Sequence, residues 1–120
     1  MSNKNIRVIL YAPTLLLMLG GCASPSTQIR GANPAQGQVV AVSALKPSAG
    51  KTVIAGRMIE KCPTAGCWFR LQDSTGVIKV DTKTAGFVVS DLPVGTQVTV
   101  LGTLKTVGER HFEAVGLRAQ

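Results

Sequence analysis

Apolar and polar residues alternate along five short runs in the second half of the chain, a pattern typical of β-strands that bury one face. In the first run, Ile54, Gly56 and Met58 fall on one face, and a glycine in mid-strand predicts a bulge or a sharp bend. Residues that favour turns separate the runs. The five predicted strands lie at "KTVIAGRMIEK", "CWFRLQD", "VIKVD", "TQVTVLGTLKT" and "HFEAVGLRA".

The same alternation predicts which side chains of the later strands form the core, because successive residues of a strand point to opposite faces. The segment "TKTAGFVVSDLPVG" has no clear period, so we expect an irregular connection, with at most one helical turn, that packs Phe87. The residues predicted to face inward on the second to fourth strands are Phe69, Leu71, Ile78, Val80, Val98, Val100, Gly102 and Leu104.

The N-terminal residues 1–21 have the pattern of a secretory signal. Lys4 and Arg7 precede an apolar run over residues 8–19, which is shorter than the ~20 apolar residues of a membrane span. The run ends in Leu-Gly-Gly-Cys, which resembles a bacterial lipobox, and this resemblance implies that Cys22 is lipidated and becomes the first residue of the mature chain. The alternative is an ordinary signal peptide with an incidental cysteine.

Lipidation would hold the mature protein at the cell envelope, facing the periplasm, with its acyl chains in a membrane. Ala23 follows the cysteine, and the absence of an aspartate there favours the outer membrane under the enteric sorting rule. Residues 22–42 are rich in Ser, Pro, Gly, Ala and Gln, so we predict a flexible tether. Residues 43–120 are then long enough for one small domain.

The charge balance bears on possible partners. The whole chain has a net charge of +7, and removal of Lys4 and Arg7 with the signal leaves eleven basic and six acidic side chains. Such a mildly basic protein is suited to binding an anionic glycan or lipid headgroup. The alternative is that the positive charge only keeps the protein soluble. The exported location argues against nucleic acid, and an envelope protein is a further possible partner.

The order of the predicted strands is typical of one particular barrel. A long strand with an internal glycine is followed by the hairpin "LQDSTGVIKV", an irregular connection, and the segment "LPVGTQVTVLGTL". This order resembles the OB-fold, a partly open five-stranded barrel, over nearly all of residues 52–118. The predicted fold class is therefore all-β, with a small OB-fold-like barrel. A β-sandwich is the alternative, and it normally has about seven strands.

A narrower resemblance begins at the two closely spaced cysteines. The stretch from "CPTAGCWF" to "VTVLG" is similar to a family of small bacterial exported domains of unknown function with a Cys…Gly-Cys-Trp signature. The resemblance implies an OB-like fold and brings no activity with it. The matching residues are Cys62, Gly66, Cys67, Trp68, Gly86, Phe87, Gly95 and Gly102.

Cys62 and Cys67 admit three interpretations. An exported compartment oxidises thiols, and the Pro-Thr-Ala-Gly bend between them can bring their Cα atoms within the ~4.4–6.8 Å of a disulfide, which is the favoured interpretation. Two thiolates also suit Cu(I) or Zn(II), but a closed zinc site needs four ligands and His111 is the sole histidine. A redox pair is the third, although such pairs usually have two intervening residues.

Trp68 and Arg70 are predicted to point outward on the second strand, with Lys79 on the same face of the third. This face binds oligonucleotides or oligosaccharides in many OB-folds. An aromatic ring beside two cations can stack a planar ring and pair an anion, so these three residues are the candidate ligand-binding site. The alternative is that Trp68 packs on the cysteine loop or the tether.

The sequence contains no recognisable catalytic motif. It has no Ser/His/Asp order, no phosphate-binding glycine loop and no metal-hydrolase motif. His111 and Glu113 share one strand face, where such a pair is more often a surface pair than an acid–base couple. We therefore predict a non-enzymatic binding or accessory module without a cofactor. A periplasmic metal- or thiol-handling protein that uses Cys62 and Cys67 is the alternative.

Overall fold

The computed structural model describes residues 27–34 and 37–120, so the predicted signal peptide and Cys22 lie outside the described residues. Within these ranges no helix has the length and apolar character needed to cross a membrane. The described part consists of strands and two short 3-10 helices, at Val42–Ala44 and Pro47–Ala49. The strands are β1 (Gln28–Gly31), β2 (Thr52–Lys61), β3 (Trp68–Asp73), β4 (Gly76–Asp81), β5 (Gln97–Lys105) and β6 (His111–Ala119).

Strands β2 to β6 close into a five-stranded barrel. The strand order around it is β2, β3, β4, β6 and β5, and β5 pairs again with β2. All of these pairs are antiparallel except β4 with β6. Closure depends on β2, whose first half pairs with β5 and whose second half pairs with β3. The prediction of an all-β barrel with five strands is confirmed.

Strand β2 bends where it passes from one neighbour to the other. At Gly56, a Cβ atom would lie 2.3 Å from the carbonyl oxygen of Gln72, so a side chain there would prevent the approach of β3. The register shifts between Met58 and Glu60, which is a β-bulge at Ile59. The sequence predicted a bulge or bend near the glycine, and the bulge lies three residues beyond it.

The barrel interior holds the predicted core. Strand β6 adds Phe112, Ala114 and Leu117, and the connection between β4 and β5 adds Val89 and Leu92. This connection is irregular, as predicted, and Phe87 packs partly buried against the core. Every apolar side chain predicted to face inward is buried: Ile54, Met58, Phe69, Leu71, Ile78, Val80, Val98, Val100 and Leu104.

The prediction of a flexible tether over residues 22–42 is wrong for the described residues from Gln28 onward. Strand β1 pairs antiparallel with the end of β6, on the edge of β6 that β4 leaves free. Arg30 secures it through two hydrogen bonds to the carboxylate of Asp91, at 2.7 and 2.8 Å. A prediction from composition misses this strand because backbone hydrogen bonds and an ion pair hold it, rather than a buried apolar face.

The segment after β1 also packs on the barrel. Val39 forms a parallel bridge with Val53 and Val40 N–H donates to the Val53 carbonyl at 2.8 Å, while the Val42 side chain is buried in the core. Val53 points away from the barrel interior, as the alternation predicts, but this segment covers it and leaves it only 3% exposed. The folded unit thus includes the described residues from Gln28, and the predicted boundary at residue 43 is wrong.

Candidate functional site

The structure brings Trp68, Arg70 and Lys79 together on the outer face of β3 and β4. Arg70 and Lys79 are direct cross-strand partners, and Trp68 is the next outward residue of β3. The Arg70 Cζ atom lies 5.9 Å from the centroid of the Trp68 ring, and Lys79 Nζ lies 5.3 Å from it. Both distances fall within the ~6 Å over which a cation is attracted to an aromatic ring. We call these three residues the Trp68 face.

Two glutamates, Glu60 and Glu109, neutralise the cations of the Trp68 face. Arg70 Nε donates to Glu60 Oε1 at 3.0 Å, and Glu109 lies 3.9 Å from Arg70 Nη2 and 3.8 Å from Lys79 Nζ. The side chains of both glutamates remain more than half exposed. Exposed ion pairs contribute about 0–1 kcal/mol each, so an incoming anion can displace these carboxylates at small cost.

The bulge in β2 explains why the sequence did not reveal Glu60. Strict alternation from Met58 places Glu60 on the inner face, but the extra residue Ile59 reverses the alternation. The register shift then pairs Glu60 directly with Arg70 on the outside. Glu109 lies in the turn between β5 and β6, where no periodic pattern indicates which face a side chain joins.

His111 and Glu113 lie beside the Trp68 face without joining it chemically. Parallel pairing places His111 opposite Lys79, and Glu113 opposite Asp81. The His111 Nδ1 atom is 2.7 Å from the carbonyl oxygen of Glu109, so its hydrogen bond goes to the backbone of its own turn. The interpretation of His111 and Glu113 as a surface pair stays a prediction.

The loop that contains Cys62 and Cys67 is held at both ends by backbone hydrogen bonds. Cys62 N–H donates to the Trp68 carbonyl at 3.0 Å, and Thr82 N–H donates to the Cys67 carbonyl at 2.9 Å. Gly66 has a φ of +63°, and a Cβ atom there would lie 2.5 Å from the backbone nitrogen of Ser90. The loop therefore sits next to the Trp68 face and packs tightly on the connection between β4 and β5.

Both cysteines are free thiols in the structure, so the predicted disulfide is not formed there. The Cys62 sulfur turns toward its own loop and lies 3.7 Å from Thr64 Oγ1. Hydrogen bonds from the backbone of Ala65, then from the backbone and hydroxyl of Thr64, lower the pKa of Cys62 to about 6. These hydrogen bonds stabilise the thiolate form of Cys62. A disulfide in an oxidising compartment stays a prediction.

The structure shows no cluster of metal ligands among residues 27–34 and 37–120, although the metal-binding alternative would require one. No three His, Cys, Asp or Glu side chains come together there in a way that could hold a metal ion. Among the described residues, Cys62 and Cys67 thus have no third ligand of these types grouped with them, whereas a structural zinc site uses four ligands.

Comparison with known proteins supports the barrel. No family model and no curated protein matches the chain. A solved structure from E. coli, described as that of the hypothetical protein ygiW, matches with a TM-score of 0.53. The match covers 70% of this chain and 91% of that one, at 17% sequence identity. The fold is OB-fold-like. At this identity the likeness concerns the fold alone, and the resemblance to the family with the Cys…Gly-Cys-Trp signature stays a prediction.

Proposed function

We propose that the protein is a non-enzymatic binding module of the cell envelope that presents the Trp68 face to an anionic or ring-containing ligand or to a partner protein. The observation that carries the proposal is the position of two cations within 6 Å of the chain's single tryptophan, on the outer face of the barrel. OB-folds bind oligosaccharides and oligonucleotides on the corresponding face. The leader ending in Leu-Gly-Gly-Cys supports a lipid anchor at Cys22, and Ala23 supports the outer membrane.

The geometry favours a ligand that combines a ring with an acidic group, as an anionic glycan does. The ring would stack on the exposed part of Trp68, and a carboxylate or phosphate would take the place of Glu60 or Glu109 beside Arg70 and Lys79. The glutamates hold the two cations over the ring before a ligand arrives. This preorganisation reduces the side-chain entropy lost on binding.

Tryptophan fluorescence tests this proposal directly, because Trp68 is the only tryptophan. The protein would be titrated with a uronic-acid oligosaccharide, with the neutral oligosaccharide of the same ring structure, with inorganic phosphate and with phosphatidylglycerol vesicles. We expect the anionic oligosaccharide to shift the emission saturably, and the neutral oligosaccharide and phosphate to bind more weakly because each uses only part of the face. A shift with vesicles alone would identify a lipid headgroup as the ligand.

Charge variants test whether the two cations of the Trp68 face contribute to binding. Arg70→Gln and Lys79→Gln should each weaken binding of the anionic oligosaccharide, whereas Lys83→Gln, which changes an exposed lysine outside the Trp68 face, should not. No emission change with any probe, or equal binding by the Arg70 and Lys83 variants, would contradict the proposal.

The Cys62 loop favours thiol handling as a second candidate function. A hydrogen-bonded Cys62 with its pKa lowered to about 6 is mostly thiolate at neutral pH, and Cys67 ends the same loop. The Cys62 thiolate would attack a disulfide in a partner and form a mixed disulfide as one partner thiolate leaves. The Cys67 thiolate would then attack Cys62, form the Cys62–Cys67 disulfide and release the second partner thiolate. Trapping of a mixed disulfide by a Cys67→Ser variant tests this candidate, and its absence would contradict it.

A further inference from the structure

A second apolar layer lies outside the barrel, away from the Trp68 face. Val53 of β2 and Leu101 of β5 are cross-strand partners, and both point outward. An outward pair on a barrel of this size would ordinarily be polar, since that face meets water. Here the segment over residues 37–49 covers Val53 and leaves Leu101 half-buried.

The covering segment leaves a cavity over this pair. Its volume is about 430 Å³, within the ~300–1,000 Å³ typical of small-molecule sites. Val40, Leu45, Val53 and Leu101 contribute apolar groups to its wall, Val53 with only a small exposed part. The cavity is therefore suited to an apolar group. Strand alternation alone does not reveal it, because residues 37–42 of the covering segment were predicted to belong to a tether.

Two lysines, Lys46 and Lys51, complete the lining, which contains no acidic side chain. Both are exposed, and among the described residues neither forms an ion pair or a side-chain hydrogen bond. They differ in this respect from Arg70 and Lys79, which contact glutamates. An apolar cavity with two unneutralised cations is complementary to a molecule that has an alkyl chain and one anionic end.

We infer that this cavity binds a free single-chain anionic lipid, with the alkyl chain against Leu101 and the apolar wall and a carboxylate or phosphate at Lys46 and Lys51. The inference is independent of the Trp68 face, since none of that face's residues lines the cavity. The apolar part of the site is a half-open cavity with walls rather than a flat patch, so it suits the chain of a lipid monomer in solution better than the surface of a bilayer.

The test is an amide NMR titration of the protein with dodecanoate and dodecyl phosphate, each below its micelle concentration. We expect saturable shifts at Val40, Leu45, Lys51, Val53 and Leu101, with none at Trp68. Dodecyltrimethylammonium has the same chain with a cationic end, and acetate has the anion without the chain, so neither should produce these shifts. Dodecyl maltoside, which has a neutral end, should bind more weakly than either anion.

A pair of double variants isolates the role of the lysines. Lys46→Gln with Lys51→Gln should lower the affinity for dodecanoate roughly tenfold. The melting temperature should stay unchanged, because among the described residues neither side chain has an ion pair or hydrogen bond to lose. Lys83→Gln with Lys105→Gln removes the same charge from elsewhere on the surface and should leave the affinity unchanged. A third variant, Trp68→Ala, should bind dodecanoate with the affinity of the wild type. A negative result for ligand binding at the Trp68 face can therefore be distinguished from a negative result for lipid binding in this cavity.

Four results would overturn the inference. They are the absence of saturable binding by either anionic probe, equal binding by the cationic probe, unchanged affinity in the Lys46/Lys51 variant, and binding to phosphatidylglycerol vesicles without binding to monomers. The last result would identify the lysines as a membrane contact instead of a lipid-binding site.

Discussion

The backbone N–H of Val42 donates a hydrogen bond to Asp73 Oδ2 at 2.9 Å. The other carboxylate oxygen accepts from the backbone and hydroxyl of Thr75 and from the backbone of Gly76, at 2.6–3.0 Å. Burial alone would raise the pKa of Asp73, but hydrogen bonds from Thr75, Val42 and Gly76 outweigh it and lower the pKa below its ordinary value. One carboxylate thus joins the N-terminal segment to the turn between β3 and β4.

Asp73→Asn should destabilise the protein by about 1–3 kcal/mol, since the amide cannot accept every hydrogen bond that the carboxylate accepts. In a domain of this size such a loss lowers the melting temperature by several degrees, and ~4–8 °C corresponds to 1 kcal/mol. Asp81→Asn is the control, because among the described residues the Asp81 carboxylate accepts one hydrogen bond, from the Lys83 backbone, and its loss should cost less.

The contribution of Asp73 should also depend on pH in a defined direction. Because its folded pKa lies below the ordinary value of 3.8, its stabilising effect is complete above that value and is lost as pH falls through the folded pKa. Urea unfolding between pH 2 and 7 should therefore show a larger acid-induced loss in the wild type than in Asp73→Asn. Parallel pH profiles for the two proteins would rule out this role.

Trp68 and Leu71 on β3 should respond differently to truncation. Leu71 is fully buried, so Leu71→Ala should cost about 2–5 kcal/mol and could unfold so small a domain. Trp68→Ala should cost much less, because a partly exposed ring leaves no closed cavity. Thermal melting of both variants measures the difference. If both melt alike, Trp68 is a packing residue and the binding role of the Trp68 face fails.

The thiolate of Cys62 should form, and react with iodoacetamide, at an unusually low pH. With its pKa lowered to about 6, the pH profile of alkylation should have its midpoint near that value, measured in Cys67→Ser to isolate one thiol. Thr64→Val removes one hydroxyl hydrogen bond and should raise the midpoint. An ordinary midpoint near 9.0 would show that the loop does not favour the thiolate. Oxidation to a Cys62–Cys67 disulfide in the exported compartment would appear as two unreactive thiols that reduction restores.

Lipid attachment at Cys22 can be tested in the producing cell. Cys22→Ser should leave an unprocessed or soluble form, whereas the native chain should fractionate with membranes and carry the mass of the acyl chains. Cys62→Ser is the matched control and should not change fractionation. Membrane fractionation and processing that are unchanged in Cys22→Ser would exclude a lipoprotein.

The barrel strands could be predicted because each alternates on a buried face, as at Phe69 and Leu71. Alternation also placed Trp68, Arg70 and Lys79 on one outer face. It could not predict β1, which is held by backbone hydrogen bonds to the distant strand β6 and by the ion pair of Arg30 with Asp91. The remaining features arise from tertiary placement: the bulge turns Glu60 outward, and backbone N–H groups near Cys62 lower its thiol pKa. None of these leaves a periodic signal.

The pairing of β1 with β6 has a consequence for where the barrel can work. Between Cys22 and the first residue of β1, Gln28, the chain has only six residue steps, which reach about 20 Å even when fully extended. With Cys22 lipidated as proposed, this connection is too short for the barrel to lie far from the bilayer. The barrel end at Gln28, Val98 and Ala119 must then stay near the lipid surface. Such a protein meets its ligands close to one membrane, including lipid monomers that leave that bilayer.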